Sequence, residues 1–186
     1  MRIIGGAHRG RTLASVGKGD AAAHLRPTAD RVRESLFNVL AGGYGDPASG
    51  ARVLDIFAGT GALGLEALSR GAECVTFVED GRKAQKILSE NIALCRATAQ
   101  VKVIRRDARR LGENPDQGYD LIFLDPPYGK ALGEAALSAA LSGGWIAPEA
   151  LIVWEESAAL EVPAALRLIE ARTYGDTKIS FLENKT

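Results

Sequence analysis

Residues 52–71, RVLDIFAGTGALGLEALSRG, run from an apolar strand-like segment through a glycine-rich turn into a helix-like segment. No other stretch limits the fold as strongly. A strand that leaves through a helix cannot pair with what directly follows it, so the next strand must lie parallel to it in a sheet. The pattern then recurs: CVTFVE, the helix-like GRKAQKILSENIALCR, VKVIRR, YDLIFLD, the helix-like ALGEAALSAALSGG and ALIVWEE. Strands alternating with helices predict βαβ units and a parallel sheet covered on both faces, an α/β fold. The chain ends differently. LRLIEARTYG and TKISFLE are two strand-like runs separated by Gly-Asp, which predicts a hairpin and an antiparallel strand closing the sheet.

The opening MRIIGGAHRGRTLASVGKGDAAAHLRPT reads as a Gly-punctuated hairpin and a basic loop. TADRVRESLFNVLAGG follows as a helix, with Thr28 as N-cap, Val32, Leu36, Val39 and Leu40 on one face and Gly42 as its stop. Its other face presents Arg31, Glu34 and Asn38. At 186 residues the chain suits one domain, with a basic hairpin, loop and helix over 1–45 and a core over 51–186. The start lacks the apolar stretch of a signal peptide and no later run has the length of a membrane span, so a cytoplasmic protein is expected. Cys74 and Cys95 show no C-x-x-C spacing and the two histidines, His8 and His24, lie far apart, which argues against a disulfide scaffold or a zinc site.

A formal net charge of zero conceals an asymmetry. Residues 1–33 hold seven Lys or Arg against two Asp, a balance of +5, which the rest of the chain offsets. A basic arm on a mildly acidic body is a footprint for nucleic acid, although a solvated terminus has the same composition.

Gly59, Gly61 and Gly64 stand in the spacing G-x-G-x-x-G, and Glu79 follows Gly59 by 20 positions, where an acid grips a ribose in dinucleotide enzymes. A nicotinamide oxidoreductase is therefore one candidate. Asp55 at the end of the first strand argues against it, because its charge would sit where a pyrophosphate must lie. S-adenosylmethionine, which has an ammonium, a ribose diol and adenine but no phosphate, fits better. Asp55 would face the amino-acid end, the Ala58-Gly59-Thr60-Gly61 turn would approach the ligand, and Glu79 with Asp80 would meet the ribose. Asp107 with Ala108 would meet the adenine. Each acid has an ordinary alternative as an N-cap. Four acids at four successive strand ends, Asp55, Glu79, Asp107 and Asp125, are harder to explain as separate caps.

The fourth strand runs into Asp125-Pro126-Pro127-Tyr128. Proline lacks the N–H that a ladder needs, so the strand stops abruptly and a carboxylate and a ring are held at its carboxyl end.

This arrangement resembles the class I S-adenosylmethionine-dependent methyltransferases, with their Rossmann-like, mostly parallel seven-stranded sheet and reversed last strand. RIIGG, HRGR, RPTADRVRESLFNVL, VLDIFAGTGALGLEALSRGA, FVE, LIFLDPPY and YGDTKISFL together resemble the bacterial 16S rRNA guanine-N2-methyltransferase family. The resemblance implies methylation of the exocyclic N2 amine of a guanine in 16S rRNA, within an assembling or assembled small ribosomal subunit, by S-adenosylmethionine and without metal. Asp125 and the Pro126 carbonyl would accept the amine hydrogens, with Tyr128 stacking on a flipped-out base. Arg9, Arg11, Arg26 and Arg31 would contact RNA phosphates. A monomer is the working expectation. The alternatives are a DNA amino-methyltransferase with the same DPPY chemistry and an RNA-binding factor without turnover.

Overall fold

A computed structural model describes residues 1–15, 30–127, 132–156, 161–175 and 177–186. Helix α1 (Asp30–Gly43) precedes strand β1 (Arg52–Ile56), α2 (Ala62–Ser69), β2 (Cys74–Val78) and α3 (Arg82–Leu94). Then come β3 (Val101–Ile104), β4 (Tyr119–Leu124), α4 (Leu132–Ser142), β5 (Ile146–Glu156), β6 (Leu166–Tyr174) and β7 (Thr177–Asn184). The seven strands form one sheet in the order β3-β2-β1-β4-β5-β7-β6. Strands β1 to β5 pair in parallel, while β7 is antiparallel to both β5 and β6. The chain builds outward from β1 through β2 to β3, then crosses back to place β4 on the other side of β1. This reversal makes a topological switch point at the carboxyl ends of β1 and β4, the place where open α/β sheets bind ligands.

The expected reversed strand is present but does not lie at the sheet's edge. β7 is inserted between β5 and β6 because Ile179, Ser180, Phe181 and Leu182 are buried, whereas most of β6 is exposed. The more apolar arm of the hairpin takes the covered position. β5 starts at Ile146, earlier than the ALIVWEE run suggests, because its register with β4 jumps from Tyr119↔Ile146 to Leu121↔Leu151. Helix α1 runs through Gly42 to Gly43, so the stop lies one residue later than expected. Its expected cap, Thr28, lies outside the described residues.

Alternation along the strands divides the core into two layers. Val53, Val75, Phe77, Phe123, Val153 and Phe181 join α1, α2 and α3 on one face. Leu54, Ile56, Ile122, Leu124, Ile152 and Trp154 join α4 on the other. Gly64 lets α2 sit close to the sheet: a Cβ there would lie 2.5 Å from Phe77 Cε1 and 2.8 Å from Val75 Cγ1. The glycine spacing thus serves packing as well as the turn.

The opening segment is the expected hairpin, with an Arg2↔Thr12 antiparallel bridge around a 3-10 turn at Gly6–His8. It is anchored to α2 by Glu66, whose fully buried carboxylate accepts from Ile4 N at 2.7 Å, Gly5 N at 2.8 Å and Arg70 Nε at 2.8 Å. Arg33 of α1, also fully buried, lies 3.7 Å from Glu66 through Nε. It pairs with Asp30 at 2.9 Å and donates to the Arg2 carbonyl. Among the described residues, no helix is long and apolar enough to cross a membrane.

Candidate active site

The candidate site is built at neighbouring strand ends. The pairing of Ile56 with Leu124 sets the exit of β1 beside the exit of β4, and Asp125 N lies 3.4 Å from the Ile56 carbonyl. From β1 the chain enters the glycine turn through three left-handed residues, Phe57 (φ 62°), Gly59 (φ 56°) and Gly61 (φ 78°). Phe57 is the unexpected one. A non-glycine residue there costs about 1 to 3 kcal/mol, held by the surrounding structure. Nothing in the G-x-G-x-x-G spacing signals it.

Asp55 is fully buried on the α1–α3 side, where its Oδ2 accepts from Gly64 N at 3.0 Å. This is a cap delivered to the third residue of α2 from a strand. Burial pushes the Asp55 carboxyl up to about 8, with the Gly64 N–H opposing and the nearby Glu79 charge reinforcing the rise. The expectation that Asp55 charge repels a pyrophosphate needs correcting, because a buried carboxyl stays largely protonated near neutrality. What stands against a phosphate is occupancy: the Asp55 carboxyl already takes an amide at the α2 N-terminus.

Glu79, just past β2, holds the turn from outside. Its Oε2 accepts from Gly59 N at 2.7 Å and its Oε1 from Gly81 N at 2.7 Å. Burial raises its pKa, these two N–H groups pull it back, and the neighbouring Asp80 charge adds to the rise. A carboxylate oxygen has a second lone pair, so Glu79 retains acceptor capacity for a diol. Asp80 is exposed, while Ala58 and Thr60 are buried. The Ala58 carbonyl closes the turn by accepting from Gly61 N at 2.7 Å.

Asp107 follows β3 and takes its ordinary role as a cap, accepting from Arg109 N at 2.9 Å. Arg109 Nη2 also reaches its Oδ2 at 2.6 Å, and this guanidinium holds the Asp107 carboxyl below the usual range. An adenine amine would share these oxygens with Arg109. Ala108 beside it is buried. Pro126 is buried and Asp125 and Pro127 are half-buried at the end of β4. Tyr128 lies outside the described residues.

Of the basic residues, Arg9 and Arg31 are exposed. Arg11 is half-buried and donates to the Leu94 carbonyl at the end of α3, so part of its capacity serves the fold. Arg26 lies outside the described residues. Asn91 on α3, which no sequence pattern signals, is fully buried and donates to the Thr60 carbonyl at 2.9 Å. A lone Asn in an amphipathic helix carries no readable signal.

The acceptor groups suit a ligand rich in hydroxyl and amine donors and poor in phosphate. Carboxyl groups flank the turn, and no Lys or Arg lies within residues 53–69 to neutralise a phosphate.

The family described as conserved hypothetical protein 95 matches residues 1–183. Ribosomal RNA small subunit methyltransferase D of Escherichia coli strain K12 is 39% identical over 178 residues, covering 94% of this chain and 85% of the relative. Its namesake from Haemophilus influenzae is 35% identical over 189 residues, covering 99% and 94%. The solved structure of yhhF from Escherichia coli superposes with a TM-score of 0.84 at 37% identity, covering 100% and 98%. The sheet order and reversed last strand are those of the Rossmann-like class I methyltransferase fold. Matched along nearly its whole length, the chain belongs to the conserved hypothetical protein 95 family, alongside relatives named ribosomal RNA small subunit methyltransferase D.

Proposed function

We propose that this protein methylates the exocyclic N2 amine of a guanine in small-subunit ribosomal RNA, with S-adenosylmethionine as donor. One observation carries the reading: the proline-stopped Asp125 and the glycine turn leave adjacent, paired strands at the switch point of the sheet. A group held by Asp125 therefore lies beside a ligand held by the turn. The names of the relatives support RNA of the small subunit as the substrate class.

When bound, S-adenosylmethionine would supply a methyl group from a sulfonium that departs as a neutral thioether, and the methylated amine then loses one proton to water. Glu79 would hold the ribose diol, the turn at Ala58–Gly61 would line the amino-acid end, and Asp107 would face the adenine. The guanine N2 lone pair is delocalised into the ring, so this chain's task is to localise it. Asp125 and the Pro126 carbonyl would each accept an amine hydrogen, drawing the nitrogen toward tetrahedral geometry. Two prolines keep these acceptors in place before substrate arrives. The target base must leave its helix to reach such a pocket. Arg9 and Arg31 would contact the surrounding phosphates.

The test is methylation with tritiated S-adenosylmethionine of naked small-subunit rRNA and of unmethylated small subunits, followed by mapping of the product nucleoside. N2-methylguanosine at one position supports the proposal. A label on adenine or cytosine, or none at all, overturns it. Stabilisation by NADH rather than S-adenosylmethionine in a melting assay would favour an oxidoreductase instead.

A further inference from the structure

The carboxamide of Asn91 joins two segments that are distant in sequence. Its Oδ1 accepts from Ala14 N at 2.7 Å, and its Nδ2 donates to the Ala14 carbonyl at 3.1 Å and to the Thr60 carbonyl at 2.9 Å. Ala14 is near the end of the described hairpin, which carries Arg9 and Arg11. Thr60 lies within the glycine turn. All three bonds fix one orientation of the amide, since a flipped group would set its oxygen against two carbonyls.

The amide also fills an unusual role. It presents a donor and an acceptor side by side, as a peptide group does, so Ala14 pairs with Asn91 as a strand residue pairs with its neighbour. Its second N–H then reaches the cofactor turn. Glu79 grips the same turn through Gly59 N, and Arg11 ties the hairpin to α3 again through the Leu94 carbonyl. The planar amide is fully buried, so a shift of Ala14 or of Thr60 must either carry the other along or leave a buried polar group unpaired.

We infer that Asn91 is a positioning residue that couples the RNA-contacting arm to the cofactor turn, so that RNA and cofactor each tighten the binding of the other. This rests on the proposed function, since it takes the arm as an RNA contact. Coupling of this kind is reciprocal and typically amounts to about 5- to 150-fold. An Asn that only held the hairpin in place would affect melting but not the ratio of cofactor affinities with and without RNA.

The experiment measures S-adenosylhomocysteine affinity by calorimetry, alone and with saturating unmethylated small subunits, which permits no methyl transfer. The unaltered protein is expected to bind S-adenosylhomocysteine about 5-fold or more tightly in the presence of subunits. Asn91→Asp keeps an acceptor for Ala14 N but loses the donors to both the Ala14 and the Thr60 carbonyls, and should bring the ratio near one. Ala14→Pro removes the N–H from which Asn91 Oδ1 accepts and leaves the Ala14 carbonyl in place, so it should lower the ratio while leaving affinity without RNA within about two-fold. Circular dichroism establishes folding. If Asn91→Asp does not fold, Ala14→Pro decides. A ratio near one in the unaltered protein, with both ligands bound, overturns the coupling and leaves the proposed function intact. Persistence of the ratio in a folded variant also overturns it. Failure of the unaltered protein to bind either subunits or naked small-subunit rRNA overturns the functional proposal and the coupling with it.

Discussion

Asp125 gains its proposed role from position: it follows β4 directly and precedes two prolines that cannot continue the ladder. In that role its hydrogen bond to the amine would strengthen as nitrogen gains positive charge, and it would stabilise the transition state more than the bound substrate. Asp125→Ala should therefore lower single-turnover methylation about 100- to 1,000-fold with little change in cofactor affinity. Near-normal turnover in the folded variant would make Asp125 a strand terminator only. Asp55 leads to a prediction about pH. Its folded pKa of about 8 exceeds the ordinary 3.8, so the unfolded chain ionises first as pH rises. The stability it contributes is full below the unfolded value, declines through the neutral range and is lost above the folded value. Asn at this position keeps an acceptor for Gly64 N–H and has no proton to lose. Melting temperature should thus fall from about pH 5 to about pH 8 more steeply in the unaltered protein than in Asp55→Asn. Glu79, raised in the same direction, leaves a residual slope in the variant. Parallel curves would remove Asp55 from the account.

Helix α2 is where the elements of this fold converge, since the turn enters it, Asp55 caps it and the hairpin rests on it. Its packing on the sheet depends on Gly64, where an added methyl would meet Phe77 and Val75. Gly64→Ala should cost about 1 to 3 kcal/mol as the helix is pushed off β2. Urea unfolding at unchanged m-value checks this, and a neutral result would show that the helix can shift without loss. On the outer side, Glu66 satisfies two hairpin amides and faces both Arg33 and Arg70. Removing one partner from a buried ion pair leaves the other uncompensated, at a cost of about 3 to 5 kcal/mol. Glu66→Ala should lose that much and expose the hairpin to proteolysis. A stable variant whose hairpin resists cleavage would show that apolar contacts of Ile3 and Leu13 suffice to dock it.

For the molecule as a whole, charge is divided between a basic start and an acidic remainder, and RNA binding should register this. Removing Arg9 and Arg31 together is expected to raise the Michaelis constant for rRNA and leave cofactor affinity unchanged. The slope of log affinity against log salt should become shallower by about 0.7 to 0.9 per lost contact. An unaltered slope would return these side chains to ordinary solvated surface. By itself the sequence determined the α/β class, the strand-turn-helix unit around Gly59, Gly61 and Gly64, the terminal hairpin and the acids at the strand ends. Those features are local: side-chain period, glycine, proline and caps act within a few residues of themselves. Only the tertiary structure decided that β7 lies inside β6, because the choice compares the burial of two strands against a third. The same holds for the neutral Asp55, which owes its protonation to surrounding atoms that its neighbours in sequence do not supply. Glu66 reads as the polar side of a helix until the hairpin arrives over it. Asn91 has no pattern at all in the chain, since its three partners come from segments that meet only when the sheet and its helices have closed around them.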